Sequence, residues 1–218
     1  TGFTSGTANS AEWYLGVDLL DGSTVERQLK GWVPATAEIN YNGTTEAVTV
    51  TMSGPYGDET ENTSITPGTL ENNTTGDEVP GHGASLSIGG TRITELQSAT
   101  LSFEGLSRLI FDSNSPKPTE AVVGNVTESV EFTDTLLDDT TQYERALGSA
   151  SASSLQDFVD SASATLAFDH DGSTIADYDL DTVKPESYGW DDLVNNDADL
   201  GESVTYQATG VTASDPTA

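Results

Sequence analysis

The sequence contains no cysteine and only two histidines, His82 and His170. Without cysteine, disulfide bonds, thiolate zinc sites and cysteine nucleophiles are excluded together. Two isolated histidines rarely build a transition-metal site or support a serine triad, and neither a Gly-x-Ser-x-Gly elbow nor a phosphate-binding loop is present. We therefore expect a chain that is not an enzyme, with no catalytic residue, resident metal or cofactor.

Basic residues are also scarce. The sequence has 7 Lys and Arg and 36 Asp and Glu, which gives a formal net charge of −29. The acids run from Glu12 to Asp215, so they are not concentrated at one binding site. A chain so charged repels itself at ordinary ionic strength, but molar salt shortens the Debye length to about 3 Å. The composition therefore predicts adaptation to a salt-saturated cell or to brine.

The same charge limits the partners of the chain. Nucleic-acid binders neutralise phosphates with clusters of Lys and Arg, and the sequence has no such cluster. We expect no specific binding of nucleic acid, although an acidic wall would suit DNA that slides past. No apolar run is long enough to cross a membrane, so no membrane partner is expected.

A cluster of aspartates suggests a metal-binding loop. It begins at the turn Asp169-His170-Asp171-Gly172 and continues at Asp177, Asp179 and Asp181. An EF-hand loop that begins at Asp169 would need a bidentate glutamate at its twelfth position, where Leu180 stands. Hairpin turns recruit Asp and Gly for their own geometry. The pattern therefore predicts a hairpin whose aspartates face solvent, and surface carboxylates could bind cations only weakly.

Alternating apolar and polar residues with many β-branched side chains predict a mostly β fold, a β-sandwich or barrel with one or two short α-helices. We expect a single domain over residues 1–218, with a long exposed loop at residues 54–83. Capping residues predict helices at residues 142–147, before Gly148, and at residues 155–162. The predicted strands cover residues 12–20, 24–29, 36–41, 46–53, 84–88, 95–103, 125–132, 164–168, 173–180 and 202–212.

One order of segments goes beyond composition: SATLSFEG, then PTEAVVGNVTESVEFTDTLLDDTTQYERALGS, then SATLAFDHDGSTIADYDLD, then GESVTYQATGVTA. It resembles the major tail tube proteins of long-tailed viruses, in which a Gly-led strand leads into a helix of the type D-x-x-x-Y-x-x-x-L-G. Here that helix runs from Asp139 to Gly148, with Tyr143 and Leu147 at the matching places. The earlier segment GWVPATAEINYNGTTEAVTVTMSG looks like the early β-hairpin of the family.

The resemblance implies a self-assembling structural protein. Six copies would join their sheets into a ring around a channel, and stacked rings would form the tail tube that delivers the genome. Other tail proteins would be partners, DNA would only pass through, and the protein would be assembled in the host cytoplasm and reside in the virion tail. With the acidic composition, this predicts a virus of a halophilic archaeon. Candidate acids of the channel wall are Glu104, Glu128 and Glu131, of which Glu128 is the weakest because alternation places it on the face of Val130.

A second reading from another class is an extracellular surface or adhesion β-sandwich, such as an S-layer module or a capsid decoration protein. Sandwiches rich in Thr, Asp and Gly are common there. A secretory leader and tandem repeats would favour this alternative.

The long loop at residues 54–83, which is longer and more polar than the usual loop of the family, is the predicted contact between rings. We predict that deletion of residues 71–78 impairs ring stacking more than folding, because a polar surface loop contributes little to a core. Tube lengths measured by electron microscopy, with thermal unfolding as the control for folding, test this prediction. Tubes of normal length would remove the loop from the ring contact.

Overall fold

A computed structural model describes residues 8–43, 47–61, 83–135, 140–170, 172–191 and 201–214. The chain divides into two compact units. Unit 1 comprises Thr1–Ala37, Met52–Gly76 and Glu104–Val126, and unit 2 comprises Glu38–Thr51, Asp77–Phe103 and Thr127–Ala218. The single domain over residues 1–218 stays a prediction.

The described part of the chain is mostly β, with antiparallel pairing and one short helix, which confirms the predicted fold class. Its elements are β1 (Ala11–Asp18), β2 (Thr24–Trp32), β3 (Thr36–Asn42), β4 (Thr49–Ser53), β5 (Asp58–Glu61), β6 (Ala84–Ile88), β7 (Thr91–Arg92), β8 (Leu96–Glu104), β9 (Ser107–Phe111), β10 (Pro118–Val123), β11 (Thr127–Thr135), α1 (Thr141–Leu147), β12 (Ala162–His170), β13 (Ser173–Asp191) and β14 (Gly201–Ser214).

Unit 2 is built on one nine-stranded sheet in the order β4-β3-β8-β11-β14-β13-β12-β6-β7. Period-2 alternation sends one set of side chains to a common core. On β11, Val130 and Phe132 are fully buried, and they lie opposite Tyr206 and Val204 of β14, which are also buried. The core extends through β3, β6, β8, β12 and β13. Because a helix of seven residues cannot cover nine strands, most of this core consists of side chains from the strands themselves.

The helix α1 ends before Gly148 as predicted and begins at Thr141, one residue earlier than predicted; the side chain of Thr140 makes no capping bond and donates to Glu144 instead. Gly148 has a φ of 134°, a conformation that other residues rarely adopt, and its N–H donates to the Arg145 carbonyl. Gln142 is buried and accepts a hydrogen bond of 2.7 Å from the Tyr206 hydroxyl. That bond attaches the helix to the sheet, and burial raises the pKa of Tyr206 above its usual value.

The second predicted helix, at residues 155–162, is wrong. This segment has no helical turn, and its backbone donates elsewhere: Gln156 N–H to the Leu147 carbonyl at 2.8 Å, and Asp160 N–H to the Gly148 carbonyl at 2.7 Å. The segment therefore satisfies carbonyls at the end of α1 instead of forming its own helix. Residue 162 already begins β12.

The sequence also underestimated the strands that follow residue 54. β5 lies within the predicted loop at residues 54–83, and β9 and β10 lie between residues 103 and 125, where no strand is predicted. β10 begins at Pro118 and pairs only with β9 among the described residues, as suits a residue that lacks a backbone N–H. Residues 62–82, the rest of the predicted loop, lie outside the described residues.

Unit 1 holds a three-stranded sheet in the order β1-β2-β5 and the pair β9–β10. The rings of Trp13 and Trp32 meet edge to face at 5.5 Å. On the same sheet, Arg27 Nε lies 2.5 Å from Glu59 Oε1, and the guanidinium lowers the pKa of Glu59 to about 2. Among the described residues of this unit, only Val33, Gln28 and Ser107 are buried, so its core is small.

Loss of the hydrogen bond between α1 and the sheet should destabilise the protein. We predict that Gln142→Ala lowers the free energy of unfolding by about 1–3 kcal/mol, because the buried Tyr206 hydroxyl loses its acceptor. Exposed Gln207→Ala on β14 is the control and should change it by less than about 0.5 kcal/mol. Denaturant unfolding of both variants checks this, and equal losses would contradict the proposed anchor.

Candidate functional site

The face of the nine-stranded sheet opposite the core carries mainly hydroxyl and amide side chains. Ser98 of β8 and Thr133 of β11 share a hydrogen bond of 2.7 Å. Thr100 of β8 donates to Asn40 of β3 at 2.9 Å. These bonds tie β3, β8 and β11 together on one surface, which we call the polar face.

The polar face continues across β14 to β13. Ser129 and Glu131 of β11 lie opposite Gln207 and Thr205 of β14, and Gln207 lies opposite Lys184 of β13. Alternation gives the polar face the side chains of Glu38, Asn40, Ser98, Thr100, Ser102, Glu104, Ser129, Glu131, Thr133, Lys184, Ser203, Thr205 and Gln207. Alternation also places Asp177 and Asp179 of β13 on this face, because they alternate with Tyr178 and Leu180 on the core side, so the polar face carries acids as well as hydroxyl and amide groups.

The three candidate channel acids differ in placement. Glu131 is exposed and lies on the polar face, on the same side of β11 as Thr133. Glu104 is the exposed last residue of β8, on the side of Ser98 and Thr100. Glu128 lies on the opposite face with Val130, is half-buried, and accepts a hydrogen bond of 3.4 Å from the Val211 N–H. Alternation thus orders them as the sequence did, and their channel role stays a prediction.

Aspartates collect on the first half of β13, away from Lys184. Asp179 and Asp181 are exposed, as the hairpin interpretation predicts, and Asp179 accepts a hydrogen bond of 2.8 Å from Thr165. Asp177 is only half-buried, but its Oδ1 is buried and has no hydrogen-bond partner among the described residues. Asp171 and His82 lie outside those residues, and His170 ends β12. Within the described ranges no three His, Asp or Glu side chains could hold a metal together.

The sheet has two open ends among the described strands. All five residues of β4 are exposed, and its apolar side chains Val50 and Met52 are 57% and 58% exposed. At the other end β7 has only two residues, which follow the glycine turn Gly89-Gly90. An exposed apolar edge strand is a template for pairing with another chain. β4 is therefore the end at which a second sheet would be expected to attach.

A cluster of aromatic rings lies where α1 meets the second half of β13. The ring of Tyr143 lies 5.7 Å from that of Tyr188 and 5.8 Å from that of Trp190. Tyr188 donates a hydrogen bond of 2.7 Å to Glu202, which is buried, and Trp190 Nε1 donates to the Tyr188 hydroxyl. The sequence did not predict this role of Glu202. Its place in the strand puts it on the core side, but nothing in the sequence shows that its carboxylate is buried and bonded to Tyr188.

No protein-family model and no curated protein matches the sequence. Among solved structures, the chain is similar to a chain of the extended sheath–tube complex of PVC, an extracellular contractile injection system, with 14% identity, a TM-score of 0.49 and coverage of 63% of this chain and 91% of that one. It is similar to Hcp1 from Flavobacterium johnsoniae, with 13% identity, a TM-score of 0.40 and coverage of 61% and 94%. It is also similar to the SPP1 tail tube, with 12% identity, a TM-score of 0.35 and coverage of 83% and 77%.

These similarities include a tail tube and a sheath–tube complex, and tail tube proteins are the class that the sequence resembles. That the chain is not an enzyme stays a prediction. The halophilic archaeal host stays a prediction. No helix among the described residues is long and apolar enough to span a membrane.

Repulsion between the aspartates of β13 should depend on salt. We predict that Asp179→Asn with Asp181→Asn raises the melting temperature at about 0.1 M salt by about 2–4 °C, which corresponds to about 1 kcal/mol. The amide oxygen of the asparagine introduced at position 179 can still accept the Thr165 hydrogen bond. In molar salt the gain should vanish, because screening removes the repulsion.

Asp112→Asn is the matched control for this change. Asp112 accepts the Asn114 N–H at 2.7 Å, a bond that an amide oxygen retains, and it stands outside the β13 series. The melting temperature of the Asp112→Asn variant should equal that of the parent protein at both salt concentrations. A gain in the double variant that persists in molar salt would show that the repulsion is not its cause.

Proposed function

We propose that this protein is the structural subunit of a viral tail tube, in which six copies join their sheets into a ring and rings stack around a channel for the genome. The observation that carries the proposal is the nine-stranded antiparallel sheet of unit 2, with one buried face, one polar face without a cluster of cations, and two ends that are open among the described strands. In a tube, the buried face would form the core of the subunit, the polar face would line the channel, and the ends would pair with neighbouring copies.

The open ends support assembly by pairing of sheets between copies. Among the described strands β4 pairs on one side only, and its five residues are exposed, with Val50 and Met52 on one side. Such an edge is an aggregation site unless it is charged, covered or paired. Closure of the sheets of several copies into one barrel removes these edges altogether. Pairing therefore gives a reason for an apolar edge on an otherwise acidic protein.

The polar face supports a channel wall. Its hydroxyl and amide side chains are hydrated without offering phosphates a cluster of cations, since the basic residues that alternation assigns to it among the described strands are Lys184 of β13 and Arg92 of β7, which are separated in the sheet by β12 and β6. Nucleic-acid affinity rises with the number of phosphates that Lys and Arg neutralise. DNA would therefore pass this face with little binding, and Glu104 and Glu131 would add repulsion at the wall.

The surroundings of the subunit follow from this role. Its partners are further copies of itself and the other proteins of the tail, and its place is the virion tail after assembly in the host cytoplasm. The net charge of −29 suits assembly in brine, where screening lets equally charged copies approach. The proposed source is a tailed virus of a halophilic archaeon.

Electron microscopy of the purified protein in molar salt tests the proposal. Hollow tubes or six-fold rings are the expected result, and a helical reconstruction would show whether the strands that carry Glu104 and Glu131 line the channel. Monomers at every concentration would overturn the proposal. Flat lattices would also overturn it and would favour the S-layer alternative.

The role of β4 can be tested by one lysine. We predict that Val50→Lys reduces the yield of rings and tubes at least tenfold, each factor of ten being about 1.4 kcal/mol, because a charge on the edge opposes pairing. Phe111→Lys is a matched control, since Phe111 is 58% exposed and Val50 is 57% exposed. Counts of assembled particles compare the two, and unchanged thermal unfolding shows that both fold. Equal yields would remove β4 from the contact.

A further inference from the structure

Two carboxyl groups lie opposite each other on the core side of the nine-stranded sheet. Asp134 of β11 is the register partner of Glu202 of β14. Asp134 lies on the same face of β11 as the buried Phe132, and Glu202 lies on the same face of β14 as the buried Val204. Glu202 is 2% exposed, and Oδ1 of the half-buried Asp134 has almost no exposed surface. We call these two residues the carboxyl pair.

The carboxyl pair lies among the side chains that attach α1 to the sheet. The Tyr188 hydroxyl of β13 donates a hydrogen bond of 2.7 Å to Glu202, and Trp190 is the register partner of Glu202 on the same strand. Burial is the main cause of the raised pKa of Tyr206, and the charges of the carboxyl pair raise that pKa further. The pair therefore acts on both tyrosines that connect the sheet to α1 and to the aromatic cluster beside it.

One cation of unit 2 is positioned to balance the carboxyl pair. All seven Lys and Arg residues of the sequence are among the described residues, and three of them belong to unit 2. Alternation places Lys184 of β13 and Arg92 of β7 on the polar face, across the sheet from the pair. The third is Arg145 of α1, whose charge opposes the effect of burial and of the pair on the pKa of Tyr206. Two carboxylates would therefore share one guanidinium.

The guanidinium of Arg145 is not devoted to the pair. It lies against Gly89 in the turn between β6 and β7, and its Nε is buried without a hydrogen-bond partner among the described residues. The tyrosines keep their protons at neutral pH, because burial raises the pKa of Tyr188 and of Tyr206. The other titratable groups on the neighbouring described elements add no positive charge: Tyr143 and Glu144 of α1, and Glu95 before β8.

Two full negative charges are costly in this position. Like charges directly opposite each other on neighbouring strands destabilise a sheet, and burial disfavours the charged form of each carboxyl. One proton kept between the two groups removes the excess charge. In such a coupled titration the proton belongs to the pair and not to one residue.

We propose that the carboxyl pair keeps one proton in the folded protein at neutral pH, and that loss of this proton to solvent at alkaline pH loosens α1 and the aromatic cluster from the sheet. The second charge would repel Glu202, which holds Tyr188 and through it Trp190. The device is built from one copy of the chain, so it does not depend on the proposed tail tube function.

The protein should therefore become less stable as the pH rises. In the unfolded chain both carboxyls are already ionised well below neutral pH, whereas the folded pair still binds one proton. Above the range in which the unfolded carboxyls titrate, the folded state binds more protons than the unfolded state. That advantage is lost as the pH rises through the range in which the folded pair releases its proton.

Melting temperatures in molar KCl test the proposal, because this salt screens the acids of the surface. Between about pH 6 and about pH 9 the melting temperature of the parent should fall by about 3–6 °C. Glu202→Gln should remove at least about half of this fall, since the amide oxygen still accepts the Tyr188 bond while one charge is gone. Asp134→Asn is a second variant with the same expected result.

Glu186→Gln is the matched control. Glu186 is an exposed acid on β13, the strand of Tyr188, and its variant should show the full fall of the parent. The two histidines titrate in the same range, but they do so in every variant, so the comparison between variants removes their contribution.

The fluorescence of Trp190 gives a local test of the loosening. The sequence has three tryptophans, so Trp13→Phe with Trp32→Phe leaves Trp190 alone. In this background the emission maximum should move to longer wavelength between about pH 6 and about pH 9, because Trp190 loses its contacts with Tyr143 and Tyr188. The addition of Glu202→Gln should abolish the shift.

Three outcomes would overturn the proposal. A parent whose melting temperature does not fall over this range would show that the folded pair holds no proton. Equal falls in the parent, Glu202→Gln and Asp134→Asn would assign the pH dependence to other groups. An emission maximum that does not move, or that moves equally with Glu202→Gln, would remove the link between the pair and the aromatic cluster.

Discussion

Burial of one face of the nine-stranded sheet is the interaction on which unit 2 depends. Val130, Phe132, Val204 and Tyr206 have almost no exposed surface, and the same core continues to β3 and β6. A chain with 34% hydrophobic residues has few to spare, so strict alternation concentrates them on one side of each strand. The same alternation assigns Ser, Thr and Asn to the polar face. Core and polar face are thus two results of one pattern.

The acids are distributed unevenly over the strands of this sheet. β13 carries Asp177, Asp179 and Asp181 along its first half, whereas its second half presents Lys184 and the aromatic pair Tyr188 and Trp190. Repulsion among acids favours expanded or separated chains at low salt, and screening removes it in brine. Surfaces without acids then become the places at which copies can meet. The apolar edge β4 is one such surface.

The attachment of α1 shows how a small polar network fixes one element on the sheet. Gln142 bonds Tyr206, and Tyr188 links Trp190 to the buried Glu202. Buried polar groups are costly unless they are paired, so these bonds require one position of the helix. The residues after α1 are bound in turn by its last carbonyls, which holds Phe158 and its neighbours in an exposed loop. The hydrogen bonds at the end of α1 thereby fix the backbone of an exposed apolar segment.

Much of the fold was determined by the sequence alone, because alternation and turn residues act locally. The hairpin at Asp21-Gly22, the strands on either side of Asn42-Gly43, and the hairpin before Ser173 all form at the predicted places. The helix before Gly148 does as well, since its glycine adopts a φ that few residues accept. The sequence also placed Glu131 with Thr133 and Glu128 with Val130, because side chains alternate across a strand.

Tertiary structure decided what depends on partners distant in sequence. Residues 155–162 have helical caps and spacing, but their N–H groups bond the end of α1, which no local pattern encodes. β10 begins at Pro118, in a segment where no strand is predicted. It is a strand because it pairs with β9. The order of the nine strands, the burial of Glu202 and the joining of Asn40, Thr100 and Thr133 on one polar face likewise required the fold. Cross-strand neighbours are chosen by packing over the whole core, and alternation within one strand does not specify them.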